Sequence, residues 1–164
     1  MTLSSNPAHN ANQTVLATLV KPVADMIAAG RIDDDLEKRL NRSFPPGSQV
    51  FGDITDICQR GAREGWMCSQ GSEGRWFGRV LEPSAATRNL SVDVVDLTDI
   101  VGPHHRHPTG EVCMIMPVTE TARFDGYAAG WCVNPPGSAH NPTVTDGRAF
   151  VLYFLPDGEI EFTR

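Results

Sequence analysis

HHRHPTGE, residues 104–111, sets three histidines within four positions and follows them with a glutamate just beyond a Pro-Thr-Gly turn. A solvated loop has no need of that composition. In an extended strand, successive side chains point to opposite faces, so His105 and His107 share one face while His104 and Arg106 take the other. Pro108-Thr109-Gly110 is turn chemistry, and Glu111 opens the apolar run EVCMIMPV. If the strands on either side of that turn are neighbours, Glu111 swings onto the face that carries His105 and His107. Two imidazoles and a carboxylate on one side of a sheet suit a borderline divalent ion such as Fe(II), Mn(II), Ni(II) or Zn(II). Taken alone, the same residues also fit a charged, solvated turn.

The scaffold around this stretch reads as a helical front and a β-rich back. Residues 1–14 are polar and aperiodic, a disordered tail by composition. From there Val15, Leu16, Leu19, Val20, Val23 and Ile27 recur at three- and four-residue spacing, which predicts a helix that Pro22 must kink or restart. DDDLEKRLNRSF, residues 33–44, carries acidic caps and places Leu36 and Leu40 on one face. A third helix is expected over about 52–64, weakened by Gly61. The helical region thus covers 15–65. From 66 to 164 the chain breaks into short apolar runs separated by Gly and Pro, which predicts an all-β barrel or sandwich.

At 164 residues and 40% hydrophobic composition, one domain with a real core is expected. The net charge of −6, without any Lys/Arg-rich window, argues against nucleic acid and anionic membrane as partners. VLATLVKPVADMIAA is broken by Lys21, Pro22 and Asp25, far short of the roughly 20 apolar residues that a membrane span needs. With no export signal visible, a cytoplasmic protein with reduced thiols at Cys58, Cys68, Cys113 and Cys132 is expected. The apolar stripes of the helical front exceed what a small closed barrel needs, so a homodimer using them is expected too.

GWCVNPPGSAH, residues 130–140, ends a strand at Pro135-Pro136-Gly137 and delivers His140 just after the turn. The pairing of H-x-H-x3-E with G-x4-P-x-G-x2-H resembles the two motifs of the cupin superfamily, over roughly residues 90–156. The resemblance implies a mainly β fold, a cupin-type β-barrel (jelly roll) with an N-terminal helical extension. It also implies that His105, His107, Glu111 and His140 hold one divalent ion. The chain departs from the pattern at turns: Asp99 stands where a Gly usually lies six residues before the first ligand. Pro117-Val118 replaces a Gly after the glutamate, and Val144 replaces an Asn after the last histidine.

The helical front together with GWMC, GRV, GPHHRHPTGE, FDGYAAGWCVNPPGSAHNPTV and LYFLPDGEIEF is similar to the 4-hydroxylaminobenzoate lyase family, over about 15–164. That resemblance implies conversion of 4-hydroxylaminobenzoate and water to 3,4-dihydroxybenzoate and ammonia. Glu111 and Tyr153 are then candidates for proton transfer, Tyr153 because Ala149, Val151 and Tyr153 share one strand face. An aromatic acid also needs a guanidinium and flat walls. Arg79 is the preferred carboxylate partner, ahead of Arg75 and Arg106, and Trp76, Trp131 and Phe124 are candidate walls. Two other readings share the scaffold: an Fe(II) dioxygenase acting on a small aromatic or thiol substrate, and a binding cupin without catalysis.

Overall fold

The structure, a computed structural model, describes residues 7–163. Three helices precede the strands: α1 (Pro7–Ala28), α2 (Asp34–Ser43) and α3 (Gln49–Glu64). α1 begins inside the segment expected as a disordered tail, of which only residues 1–6 lie outside the described residues. Its first residue is a proline, which costs a helix nothing in the first turn because that N–H has no intrahelical partner. The helix continues through Pro22 instead of restarting there. α2 is capped by Asp33, whose side chain accepts from the Leu36 amide. α3 starts at the Ser48 cap, earlier than its apolar spacing suggested, and stops at Gly65 in the left-handed region (φ 89°). Gly61 is no weakness: a Cβ there would lie 2.9 Å from Met67 Cγ and 3.0 Å from the Trp66 ring, so glycine lets the next segment pack on the helix.

Among the described residues ten strands follow: β1 (Gln70–Ser72), β2 (Arg75–Leu81), β3 (Leu90–Val101), β4 (His105–His107), β5 (Glu111–Pro117), β6 (Arg123–Phe124), β7 (Gly130–Asn134), β8 (Ser138–His140), β9 (Thr143–Pro156) and β10 (Glu161–Phe162). They form two antiparallel sheets. The larger runs β1-β2-β3-β9-β5-β7, with β6 on β9; the smaller is β10-β4-β8. The sheets face each other as the expected jelly roll, and of the barrel or sandwich that the spacing of short strands allowed they form the sandwich, without closing into a hydrogen-bonded barrel.

The large sheet is buried on both faces, and this explains why its central strands read as unbroken apolar runs. On β9, Phe150, Leu152 and Phe154 pack toward the helices, while Ala149, Val151, Tyr153 and Leu155 point between the sheets. β5 divides the same way: Val112, Met114 and Met116 outward, Cys113 and Ile115 inward. Leu16, Val20, Val23, Ile27, Leu36 and Leu40 all belong to the outer cluster and are 2% exposed or less within the one chain. These six residues of the stripe that suggested a dimer are therefore covered within the chain, while Val15 stays 47% exposed. Among the described residues no helix is long and apolar enough to cross a membrane. All four cysteines are buried and free.

α2 also finishes the edge of the sheet. β7 is a terminal strand, and its outward backbone groups would be open to another chain. Asn41 donates to the Trp131 carbonyl and accepts from the Trp131 amide, both at 3.0 Å, while Glu37 accepts from the Val133 amide at 2.8 Å. Trp131 itself is 2% exposed, donates from its indole nitrogen to the Phe44 carbonyl at 2.8 Å, and packs on Phe44, Phe51 and Phe154. It joins helices to sheet and is not the substrate wall expected of it, because Gly130–Asn134 alternates so that Trp131 falls on the helical face. Replacing Trp131 by Ala should therefore lower the unfolding free energy by about 3–5 kcal/mol in urea titration. A ligand-wall residue would instead leave stability nearly unchanged and raise KM.

Candidate metal centre between the sheets

β4 is three residues long, and its alternation decides the site. His105 (3% exposed) and His107 (fully buried) face the large sheet, while Arg106 faces out and pairs with Glu161 at 2.7 Å. The β4 register sets His105 directly opposite His140 on β8. The turn that leaves β4 and the turn that enters β8 are tied together where the Gly110 and Gly137 amides both donate to the His107 carbonyl. Glu111 arrives differently from the expectation. β5 is not a hydrogen-bonded neighbour of β4; the Pro108–Gly110 turn carries the chain across to the opposite sheet, and Glu111 meets the histidines face to face.

There, His107 Nε2 lies 3.2 Å and His140 Nε2 3.5 Å from Glu111 Oε1, and His105 Nε2 is 3.8 Å from Oε2. The Nε2 atoms of His105 and His140 are 3.0 Å apart. One ligand atom from each of the four residues lies within 4.8 Å of all the others. Glu111 Oε1 also accepts from Asn134 Nδ2 at 2.9 Å and from the Cys113 thiol at 3.1 Å, which fixes the carboxylate. His107 Nε2, Glu111 Oε2 and the Nδ1 atoms of His105 and His107 are buried without a hydrogen-bond partner among the described residues. Buried polar atoms are almost always satisfied, so orphans gathered inside a three-histidine, one-carboxylate cluster fit a group able to hold a divalent metal ion.

The electrostatics already put Glu111 and His107 in the form a metal ion needs, whereas His140 must give up a proton to join them. Burial pushes the Glu111 carboxyl up, but the imidazoles of His105, His140 and His107 overcome this and bring it to about 2. Burial is also the main reason that His107 falls to about 4 and so offers a neutral nitrogen. His140 goes the other way: burial works against its charge, yet Asp125 and Glu111 raise it to about 9. Asp125 sits in a left-handed turn (φ 49°), where Oδ1 accepts from the Thr143 amide at 2.9 Å and Oδ2 meets His140 Nδ1 at 2.6 Å. A carboxylate on the far nitrogen of a ligating histidine fixes its tautomer and strengthens it as a donor. Nothing in the sequence flagged Asp125 beyond the Asp-Gly turn chemistry of FDGY.

The departure at Asp99 resolves locally. Asp99 occupies the left-handed region (φ 44°) at the β3 bulge, and its Oδ1 accepts from the Gly147 amide, so an aspartate does there what a glycine would.

A cavity of about 250 Å³ lies against the cluster between the sheets, lined by Arg75, Phe77, Arg79, His105, Tyr153 and Phe162 among others. Tyr153 faces it from β9, 6% exposed, with its ring 6.2 Å from Phe124, which in turn lies 6.3 Å from His140. Phe124, fully buried, packs behind Tyr153 and His140 and does not line the cavity. Nor does Trp76: it alternates out of the cavity face of β2, between Arg75 and Phe77, and is 39% exposed. Arg79 lines the cavity but is already spent. Its guanidinium is held by Asp93 at 2.8 and 3.3 Å and by the Gly158 carbonyl at 3.0 Å, with Glu82 at 3.6 Å.

Facing antiparallel sheets with H-x-H-x3-E on one turn and the fourth histidine on the adjoining strand make this protein a cupin. The family model for 4-hydroxylaminobenzoate lyase matches residues 18–162. A 4-hydroxylaminobenzoate lyase of Nocardioides sp. (strain LMS-CY) is 31% identical over 138 residues, 79% of this chain and 82% of that protein. One from Pseudomonas putida is 30% identical over 145 residues, covering 78% and 82%. The chain belongs to the 4-hydroxylaminobenzoate lyase family. Among solved structures, the DMSP lyase DddQ from Ruegeria pomeroyi DSS-3 aligns over 76% of this chain and 75% of its own, at 15% identity and a TM-score of 0.47. A protein with a cupin-like fold from Ralstonia eutropha JMP134 aligns over 56% and 60%, at 18% identity and a TM-score of 0.41.

Two variants separate ligand from support. His107→Ala should abolish stoichiometric metal uptake while circular dichroism stays native. Asp125→Ala should keep the ligands but weaken metal affinity roughly 10- to 100-fold in competition with a chelator. Equal affinity in Asp125→Ala and the parent would reduce that carboxylate to a turn residue.

Proposed function

We propose that the protein is a metal-dependent lyase that converts 4-hydroxylaminobenzoate and water to 3,4-dihydroxybenzoate and ammonia. The observation that carries this reading is the small, largely apolar cavity that reaches the three-histidine, one-glutamate cluster at His105, in a chain of this family. At about 250 Å³ it falls just below the usual range of roughly 300–1,000 Å³ for ligand clefts, which suits a one-ring substrate. In the overall reaction the N–O bond breaks and its oxygen leaves as water. One water adds at the neighbouring ring carbon, a second hydrolyses the C=N bond, and ammonia departs. The nitrogen is reduced as the ring is oxidised, so no external oxidant or reductant enters.

A divalent ion held by His105, His107, Glu111 and His140 would supply Lewis-acid polarisation of the hydroxylamine oxygen and acidify water. The chain's own groups divide the remaining work. Glu111, tied by Asn134 and Cys113 and held at a low pKa, is a ligand and a poor proton acceptor, which moves the proton-transfer role away from it. Tyr153 stays protonated because burial, reinforced by Glu111, raises its hydroxyl well above the usual value. It serves as a hydrogen-bond donor to the departing oxygen. Phe162, which lines the cavity beside His105, keeps bulk water from the ring, and Asp125 keeps His140 oriented.

Metal-analysed protein given 4-hydroxylaminobenzoate should release ammonia and 3,4-dihydroxybenzoate in equal amounts without consuming oxygen. In H₂¹⁸O both new ring oxygens should carry label. Oxygen uptake during turnover would favour a dioxygenase on the same ligand set. Tyr153→Phe should lower kcat by about 10²-fold at unchanged metal content; a packing role alone would leave kcat within a few fold and lower the melting temperature.

A further inference from the structure

The cavity wall carries a cation that no group among the described residues neutralises. Arg75 opens β2, faces the cavity, and holds its Cζ 4.4 Å above the Phe77 ring. Stacking leaves the N–H edge of a guanidinium free and fixes its plane. Among the described residues Arg75 has no ion pair and no hydrogen bond from its side chain. The other arginines around the site are all taken: Arg79 by Asp93 and the Gly158 carbonyl, Arg106 by Glu161 on the outer face, and Arg148 by both oxygens of Asp96 at 2.9 Å.

The sheet register fixes where Arg75 stands relative to the chemistry. Arg75 pairs with Leu97, Leu97 with Ala149, and Ala149 lies four residues before Tyr153 on β9. With strands about 4.8 Å apart and a rise of about 3.4 Å per residue, the Arg75 and Tyr153 backbones are roughly 17 Å apart along the sheet. An arginine side chain, one benzene ring and a tyrosine side chain span that distance.

We propose that Arg75 is the anchor for the carboxylate of a planar aromatic acid, held so that the substituent para to the carboxylate is presented to Tyr153 and the histidine cluster. The assignment rests on the aromatic-acid reading above and adds to it the residue that selects its para geometry. A ligand carboxylate meets the free N–H edge in a two-point hydrogen bond, and its ring continues along the apolar wall past Phe77. A para substituent then points away from Arg75 along the ring axis, whereas an ortho substituent stays at the arginine end. The Arg79–Asp93 pair, neutral as a unit, does not compete for the anion.

The test crosses enzyme variants with substrate variants on the metal-loaded protein. With 4-hydroxylaminobenzoate, Arg75→Ala should raise KM by about 30-fold or more, with smaller effect on kcat, and Arg75→Lys should recover part of the loss. With N-phenylhydroxylamine, which lacks the carboxylate, parent and Arg75→Ala should have equal kcat/KM. The 2-hydroxylamino isomer should be turned over poorly by the parent. Equal losses on both substrates, or a loss confined to Arg79→Ala, would overturn the anchor. Calorimetric binding of benzoate provides an arm independent of turnover: the parent should bind it and Arg75→Ala should bind it at least about 30-fold more weakly. A parent that shows this binding difference but does not turn over 4-hydroxylaminobenzoate would sink the lyase reading and leave the anchor standing; equal benzoate affinity in the two proteins would do the reverse.

Discussion

A fully buried carboxylate facing three imidazoles across the gap between two sheets is the constraint on which the rest of this structure turns. Isolated in an apolar interior, an ionised glutamate costs several kcal/mol even after relaxation. Glu111 is nonetheless held at a low pKa by the histidines opposite it. Each partner comes from a separate backbone device: alternation on β4 for His105 and His107, the β4–β8 register for His140, and the Pro-Thr-Gly turn that throws Glu111 onto the other sheet. The small sheet has little core of its own. Its position over the large sheet is set where these four side chains meet, so the site and the sandwich are specified together.

The outer face follows from that arrangement. Facing β9 and β5 toward the site with one half of their residues leaves Phe150, Leu152, Phe154, Val112 and Met114 on the opposite side. An antiparallel sheet with one wet face would carry polar residues there. This one carries large apolar side chains and therefore needs a cover, which α1, α2 and α3 supply. The N-terminal helices are an outer layer of the same core, with α2 additionally satisfying the open edge of β7 through Asn41 and Glu37.

The parts legible in the sequence were those encoded locally. Ligand identity and spacing, the turns, Leu36 and Leu40, and the strand runs all depend on residues within a few positions of one another. What the sequence hid depends on register between distant segments. Trp131 looks like a ligand wall because it adjoins the second motif, yet its strand phase sends it to the helices. Asp125 lies fifteen residues from His140, and only the β6–β9 pairing shows that they touch. A double-sided sheet also erases the alternation that would have shown which face of β9 was inward, so Tyr153 could be placed only by its neighbours.

Register also decides which arginine is available to a ligand, a question that residue type alone left open between Arg75, Arg79 and Arg106. Arg79 lies opposite Asp93 in the β2–β3 ladder, and Arg106 lies opposite Glu161 in the β4–β10 ladder. Opposed cross-strand charges sit close enough to pair, and both arginines are consumed by their partners. Arg75 lies opposite Leu97. An apolar residue in that position offers the guanidinium no hydrogen bond, and its charged end rests on the Phe77 face, which orients it without neutralising it. A charge kept at the lining of an apolar cavity and denied an internal partner is where an anionic ligand gains most from binding. The choice is made by a leucine on the neighbouring strand.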